Sequence, residues 1–155
     1  MTTSCCTRSR RRRTRCPLVL LHGYPSSAVE FLDVIGPLSD PTSHGGDRRD
    51  AFHVIVPFLP GFGLAPRVNG HGWTTAKLAA GLVEIMGRLG YSRYGVQGGD
   101  VGAGVAQDMA VADPDGVVGI HVVTDMLAAA AVRSFAGGRS IRGTSPSGTV
   151  PWWSG

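Results

Sequence analysis

Residues 96–104, Val-Gln-Gly-Gly-Asp-Val-Gly-Ala-Gly, constrain the fold of this 155-residue chain more than any other segment. A short apolar strand predicted at residues 94–97 leads directly to Asp100, and a helix follows. Gly98 and Gly102 lie two residues on either side of the acid, where larger side chains would clash if a strand turned sharply into a helix. The pattern therefore predicts an acid at the apex of a strand-to-helix turn, at the carboxyl end of a sheet.

Asp100 also has a plain structural interpretation, because aspartate is a favoured residue at the N-cap of a helix. The small residues around it favour the exposed apex instead. A carboxylate at that position is already ionised at neutral pH, so it needs no base for a first attack. It is suited to displacement at a saturated carbon, which gives an alkyl-ester intermediate.

The rest of the chain alternates short apolar runs with amphipathic stretches. Strands are predicted at residues 18–21, 52–57, 94–97 and 117–123, and helices at residues 28–38, 75–89 and 101–112. Ser27 is predicted to cap the first helix and Thr74 or Thr75 the second, with Pro37 ending or kinking the first and Gly90 stopping the second. This order predicts an α/β fold, a mostly parallel sheet of about four strands with helices on both faces.

Two helices are predicted to bury one apolar face each, from the spacing of their large side chains. The residues that share that face are Phe31, Leu32, Ile35 and Leu38 in the first helix, and Leu78, Leu82, Ile85, Met86 and Leu89 in the second.

The charge is distributed unevenly along the chain. Residues 1–16 hold six arginines and residues 126–155 hold three, with no acid in either segment, so residues 17–125 carry a net charge of −5 within a total of +4. The composition predicts a basic disordered segment at residues 1–16, a core domain at residues 17–125 and a disordered tail at residues 126–155. The positive total therefore does not indicate binding to nucleic acid. No run reaches the ~20 apolar residues of a membrane span.

All three cysteines, Cys5, Cys6 and Cys16, lie in the basic segment. They cannot crosslink the core, and their spacing does not match a zinc site, so no metal is expected. Reduced thiols predict a cytoplasmic location.

The tetrapeptide His22-Gly23-Tyr24-Pro25 follows the first predicted strand. A His-Gly pair alone is explained equally well by a turn. The tetrapeptide precedes the strand-to-helix turn at Asp100, called the elbow below, in a β-α-β order. It is therefore similar to the loop that donates a backbone N–H to an oxyanion hole. The second donor is then expected to be the N–H of Val101, directly after the acid.

Several segments together resemble the epoxide hydrolases, most closely the microsomal-type branch of the α/β-hydrolase fold and its bacterial relatives. They are His22-Gly23-Tyr24-Pro25, Phe52-His53-Val54-Ile55-Val56-Pro57, Leu59-Pro60-Gly61-Phe62-Gly63, Gly72-Trp73-Thr74 and the run from Leu89-Gly90-Tyr91 to Gln97-Gly98-Gly99-Asp100. The resemblance covers about residues 17–124. It implies hydrolysis of a small-molecule epoxide to a vicinal diol, without a cofactor.

The resemblance also implies roles for individual residues. Asp100 would be the nucleophile, and Tyr24 and Val101 would supply the two backbone N–H groups of the oxyanion hole. His22, with Gly23 and Pro25, would shape that loop. The family commonly has Trp at positions 24 and 101, a departure that bears on substrate range rather than on reaction type.

The resemblance further implies groups that are not found after Asp100. The family uses lid tyrosines as acids, whereas the tyrosines here, Tyr24, Tyr91 and Tyr94, all precede Asp100. It also uses a late histidine base, whereas the later histidine here, His121, is expected to be an ordinary strand residue; Asp125 is better placed but has no histidine to orient. We therefore expect an incomplete core that lacks the lid and the C-terminal strands and is catalytically inactive.

Two alternatives stay open at this stage. One is another enzyme of the same fold, such as a haloalkane dehalogenase, which the absence of Trp at position 101 disfavours. The other is a non-catalytic fragment. The sequence does not indicate an oligomeric state.

Overall fold

The computed structural model describes residues 15–65 and 72–124. The strands are β1 (Cys16–Leu21), β2 (Phe52–Ile55), β3 (Tyr94–Gly99) and β4 (Val117–Val123), and the α-helices are α1 (Leu32–Ser39), α2 (Thr75–Arg88) and α3 (Val101–Ala112). This confirms the predicted α/β order. Strand β1 begins at Cys16, inside the segment expected to be disordered, because Cys16 pairs with Phe52. The basic segment up to residue 14, Asp125 and the predicted tail lie outside the described residues.

The four strands form one sheet in the order β2-β1-β3-β4, and every neighbouring pair is parallel. The chain moves in one direction from β1 to β2 and in the opposite direction from β2 to β3 and β4. Since parallel crossovers are right-handed, α1 lies on one face of the sheet and α2 and α3 lie on the other. The direction reverses between β1 and β3, and the crevice at their carboxyl ends is where α/β sheets bind ligands.

Helix α1 differs from its prediction. The segment begins as a 3₁₀ turn, Ala28–Phe31, for which Ser27 accepts a hydrogen bond from the Val29 N–H, and becomes α-helical only at Leu32. Pro37 lies inside the helix and does not end it. The apolar face is only partly covered: Phe31, Ile35 and Leu38 are half-buried, no residue of α1 is fully buried, and Leu32 is 63% exposed.

Helix α2 follows its prediction closely at both ends. The Thr74 hydroxyl accepts the Lys77 N–H, which caps the first turn. At the other end Gly90 adopts a positive φ of 82°, and the Tyr91 N–H donates to the Met86 carbonyl, a Schellman ending. The buried face is narrower than predicted: Leu78, Leu82 and Met86 are buried with Ala79, whereas Ile85 and Leu89 are about half exposed.

One apolar core lies between the sheet and helices α2 and α3. Its buried members from the strands are Val19, Leu21, Tyr94 and Val96, and those from the helices and the loop after β2 are Leu59, Leu78, Ala79, Leu82, Met86, Val105, Ala106 and Met109. The core anchors β1 and β3 side by side. The segments that follow β1 and β3 therefore begin next to each other at the carboxyl end of the sheet.

Strand β4 is an edge strand, and five of its seven residues are exposed. Its carboxyl end nevertheless approaches the elbow, where the Asp100 N–H donates to the Val123 carbonyl at 3.2 Å. None of the helices in residues 15–65 and 72–124 is long and apolar enough to cross a membrane.

Candidate active site

Asp100 occupies a backbone conformation that L-residues rarely adopt, with φ 49° and ψ −116°. It is the only non-glycine residue with a positive φ among the described residues. Although it lies at the N-cap position of α3, its side chain makes no capping hydrogen bond. The N-cap interpretation of Asp100 is therefore wrong, and its exposed carboxylate is free to take another partner.

Gly98 and Gly102 make the sharp turn possible. A Cβ added to Gly98 would lie under 3.0 Å from the backbone of Gly102, and one added to Gly102 would lie under 3.0 Å from the backbone of Leu21 and His22. Backbone atoms cannot move aside as a flexible side chain can. The glycines thus let β3, α3 and the end of β1 pack in direct backbone contact.

The loop after β1 turns back at once. The Ser26 N–H donates to the Gly23 carbonyl at 3.1 Å, which closes a four-residue turn that contains a cis peptide bond before Pro25. The Ser26 hydroxyl donates to the carboxylate of Glu30, which ties the loop to the first turn of the next helical segment. The turn leaves the Tyr24 N–H outside secondary structure.

That N–H points at the acid. Tyr24 N donates to Asp100 Oδ2 at 2.8 Å, across 76 residues of sequence. Hydrogen bonds from the backbone N–H groups of Tyr24 and then of Val101 hold the pKa of the Asp100 carboxyl below its usual value of 3.8. Gly23 is required for this approach, since an added Cβ would lie 2.7 Å from Asp100 Cβ. The structure thus brings together the carboxylate and the two backbone donors that sequence reasoning selected.

His22 is fully buried behind the loop and makes two hydrogen bonds to main chain. Its Nε2 accepts from the Leu59 N–H at 3.0 Å, and its Nδ1 lies 3.1 Å from the Gly23 carbonyl. A carbonyl only accepts, so Nδ1 carries the proton and Nε2 is unprotonated. The imidazole therefore joins the loop after β2 to the loop that presents the Tyr24 N–H.

Leu59 and Phe62 are site residues that sequence reasoning did not select. They lie in one turn, where Phe62 N donates to the Leu59 carbonyl and Gly61 has a φ of 86°. The Phe62 ring packs edge-on against His22 at 5.5 Å and against Tyr24 at 6.3 Å. The Pro60-Gly61 turn could be recognised from the sequence, but the sequence does not show which loop this turn contacts.

The remaining histidines of the described residues have other surroundings. His44 is exposed at the end of the 3₁₀ turn Pro41–His44. His53 hydrogen-bonds to the Tyr91 hydroxyl at 2.6 Å, through Nδ1. His121 is exposed in β4, opposite Gln97 in the register. Sequence reasoning expected a strand residue at this position rather than a base, and the side chain does lie within the strand.

The α/β hydrolase fold family matches residues 17–135 of the chain. The match extends past residue 124, where the resemblance was expected to end. Among curated proteins, "Putative epoxide hydrolase" of Stigmatella aurantiaca is 50% identical over 106 residues, which is 68% of this chain and 24% of that protein. "Epoxide hydrolase 1" of Oryctolagus cuniculus is 39% identical over 110 residues, 71% of this chain and 24% of that protein.

A solved structure agrees with these relatives. The crystal structure of juvenile hormone epoxide hydrolase from the silkworm Bombyx mori superimposes with a TM-score of 0.63 at 39% identity, covering 70% of this chain and 28% of that chain. The chain therefore belongs to the α/β-hydrolase fold family and, within it, to the epoxide hydrolases. It spans about a quarter of the length of the curated relatives it matches.

Proposed function

We propose that Asp100 is a nucleophile that opens a small-molecule epoxide and forms an aspartyl alkyl ester. The observation that carries this proposal is the hydrogen bond from the Tyr24 N–H to Asp100 Oδ2. It fixes one carboxylate oxygen against the backbone and leaves Oδ1 to attack. The lowered pKa keeps the carboxylate ionised over the whole neutral range.

In the first step, Oδ1 of Asp100 attacks an epoxide carbon and the carbon–oxygen bond of the ring breaks. The electron pair goes to the epoxide oxygen, which takes a proton from solvent and becomes a hydroxyl. The carboxylate becomes an ester whose carbonyl oxygen is Oδ2, already opposite the Tyr24 N–H. No base is needed for this step, because the nucleophile is an anion.

Hydrolysis of the ester would require water to add to the ester carbonyl carbon, which places negative charge on Oδ2. The backbone N–H groups of Tyr24 and Val101 are the donors we assign to that charge. The tetrahedral species would then release the diol and restore the Asp100 carboxylate. This second step needs a base to take a proton from the water.

The described histidines do not offer that base. His22 is committed to two main-chain groups and His53 to Tyr91, while His44 is exposed in the turn after α1 and His121 on an edge strand. We therefore propose that this 155-residue chain forms the ester and releases diol slowly or not at all. A small apolar epoxide is the substrate class proposed, because the neighbours Tyr24 and Phe62 are aromatic.

The test is intact-protein mass spectrometry after incubation with styrene oxide, followed by peptide mapping. We expect the mass of one epoxide to be added at Asp100 and removed by hydroxylamine, which cleaves esters. Asp100→Asn is the matched control and should gain nothing. Equal labelling of wild type and Asp100→Asn would disprove the nucleophile, and steady diol formation would disprove the proposed arrest.

A further inference from the structure

The strongest unassigned feature is the buried contact between two loops that meet at His22. One loop, residues 23–26, presents the Tyr24 N–H to the carboxylate. The other, residues 59–63, donates the Leu59 N–H to His22 and packs Phe62 against the rings of His22 and Tyr24. Among the described residues, only the His22 imidazole makes side-chain hydrogen bonds to both loops.

We infer that His22, as the Nδ1–H tautomer, is a positioning residue that couples the 59–63 loop to the nucleophile Asp100. The predicted effect of His22 on the reactivity of Asp100 rests on the proposed function. The predicted effect of His22 on the ionisation of the Asp100 carboxyl does not.

The first step of the argument is hydrogen-bond accounting. The Leu59 residue and the His22 ring are both fully buried, so the Leu59 N–H has no access to water and needs the Nε2 lone pair. An unsatisfied buried donor is costly, and the structure would shift to avoid it. The 59–63 loop is therefore held in place by the same ring that holds the Gly23 carbonyl.

The second step links the Gly23 carbonyl to the direction of the next N–H. Gly23 O accepts both the His22 Nδ1–H and the Ser26 N–H, each at 3.1 Å. These bonds orient the peptide group between Gly23 and Tyr24, and the N–H of that same peptide group donates to Asp100 Oδ2. Because a peptide group is planar, fixing its carbonyl fixes its N–H.

The consequence is a chain of contacts from an exposed surface to the nucleophile. Leu64, one residue beyond the 59–63 loop, is 85% exposed. A ligand that displaces this loop would loosen the Leu59 N–H from His22, then the Gly23–Tyr24 peptide group, and so the donor to Asp100. The His22 ring thus makes the basicity of Asp100 depend on the 59–63 loop, although this loop does not itself hydrogen-bond to Asp100.

The variants follow from the two ring nitrogens. His22→Phe keeps a flat ring and removes both hydrogen bonds. His22→Asn retains an N–H near the Nδ1 position, and His22→Gln places an acceptor near the Nε2 position, so each keeps half of the connection. Tyr94→Phe is the matched control, because it removes one buried side-chain hydrogen bond on β3, away from both loops.

The readouts are the pKa of Asp100, measured by carbon NMR of the labelled carboxyl group, and the rate of Asp100 alkylation by styrene oxide. His22→Phe should raise the pKa of Asp100 toward its usual value and speed alkylation severalfold, since a carboxylate that loses a hydrogen-bond donor is a stronger base and a stronger nucleophile. His22→Asn and His22→Gln should lie between His22→Phe and wild type. Tyr94→Phe should match wild type in both readouts.

Failure of the inference is separable from failure of the proposed function. An unchanged pKa and alkylation rate in folded His22→Phe would overturn the inference, while wild-type alkylation would still support the nucleophile. A raised pKa without any alkylation in wild type would support the inference and refute the function. If His22→Phe does not fold, nitrogen NMR of wild type decides, because a Nε2–H or doubly protonated ring would overturn the inference and a Nδ1–H ring would support it.

Discussion

The N–H of Tyr24 and the Oδ2 atom of Asp100 lie 2.8 Å apart, although 76 residues separate them in sequence. The contact exists because β1 and β3 are neighbours in the sheet and end at the same level, with Leu21 opposite Gly98 in the register. The loop after β1 leads to α1 on one face of the sheet, and the turn at Asp100 after β3 leads to α3 on the other face, so the two segments meet at this crevice. A topology with any other strand between them would separate the two groups.

The first prediction concerns the acid limb of Asp100 reactivity. Backbone hydrogen bonds from Tyr24 and Val101 lower the pKa of Asp100, so the carboxylate should remain nucleophilic below pH 3.8, the usual value. The rate of adduct formation, measured by mass spectrometry between pH 3 and 7, should therefore be flat until the pH falls below that value. A midpoint at or above it would show that the N–H groups do not stabilise the anion.

The same shift has a consequence for stability, with a definite sign. A carboxyl whose pKa is lower in the folded state stabilises the fold above its unfolded pKa, and the contribution is lost as the pH falls through the folded value. Asp100→Asn should therefore remove part of the acid sensitivity of unfolding below about pH 4. Urea titrations of both proteins at neutral and acid pH measure this difference.

The second prediction concerns the strained backbone of Asp100. Its φ of 49° with ψ of −116° is unfavourable for any side chain with a Cβ. Asp100→Gly should therefore be more stable to urea than Asp100→Ala by about 1 kcal/mol. Both variants lose the carboxylate, so their difference isolates the backbone, and equal stability would contradict a strained elbow.

Much of the fold could be predicted because local signals agreed with the tertiary structure. The Thr74 cap and Gly90 ending of α2 depend on short-range chemistry, and the glycines around Asp100 indicate the sharp turn from β3 into α3. The parallel sheet followed from the alternation of strands and helices. The order of the strands could not be predicted from the sequence, because it depends on which strands pack side by side in the folded core.

The errors concern surfaces that only the tertiary structure defines. Leu32 and Ile85 fit an apolar helical face, yet they are 63% and 47% exposed. Periodicity shows that side chains share a face, but it does not show whether anything covers that face. For the same reason Leu59 and Phe62 were missed at the site, since their contact with His22 joins two loops 37 residues apart.

The third prediction tests the close backbone packing at the elbow. Gly98→Ala and Gly102→Ala would each place a Cβ inside backbone atoms, so each should destabilise the protein by about 3 kcal/mol. Gly81→Ala is the matched control within α2, where an added Cβ meets nothing within 4 Å. It should stabilise the helix by roughly 0.5–1 kcal/mol. Thermal melts of the three variants would refute the packing argument if all lost stability alike.

The last prediction concerns the buried phenol at the amino end of β3. The Tyr94 side chain is fully buried, and its hydroxyl donates to Asp113 at 2.9 Å. Burial first, and then the hydrogen bond and the negative charge of Asp113, raise the pKa of Tyr94 above its usual value of 10.0.

A group whose pKa is raised by folding stabilises the protein fully below its unfolded value and loses that contribution as the pH rises through the folded value. The free energy of unfolding should therefore fall above about pH 10 in wild type and fall less steeply in Tyr94→Phe, which has no proton to lose. Urea titrations at pH 8 and above pH 10 measure both slopes, and equal slopes would show that Tyr94 does not govern the alkaline loss of stability.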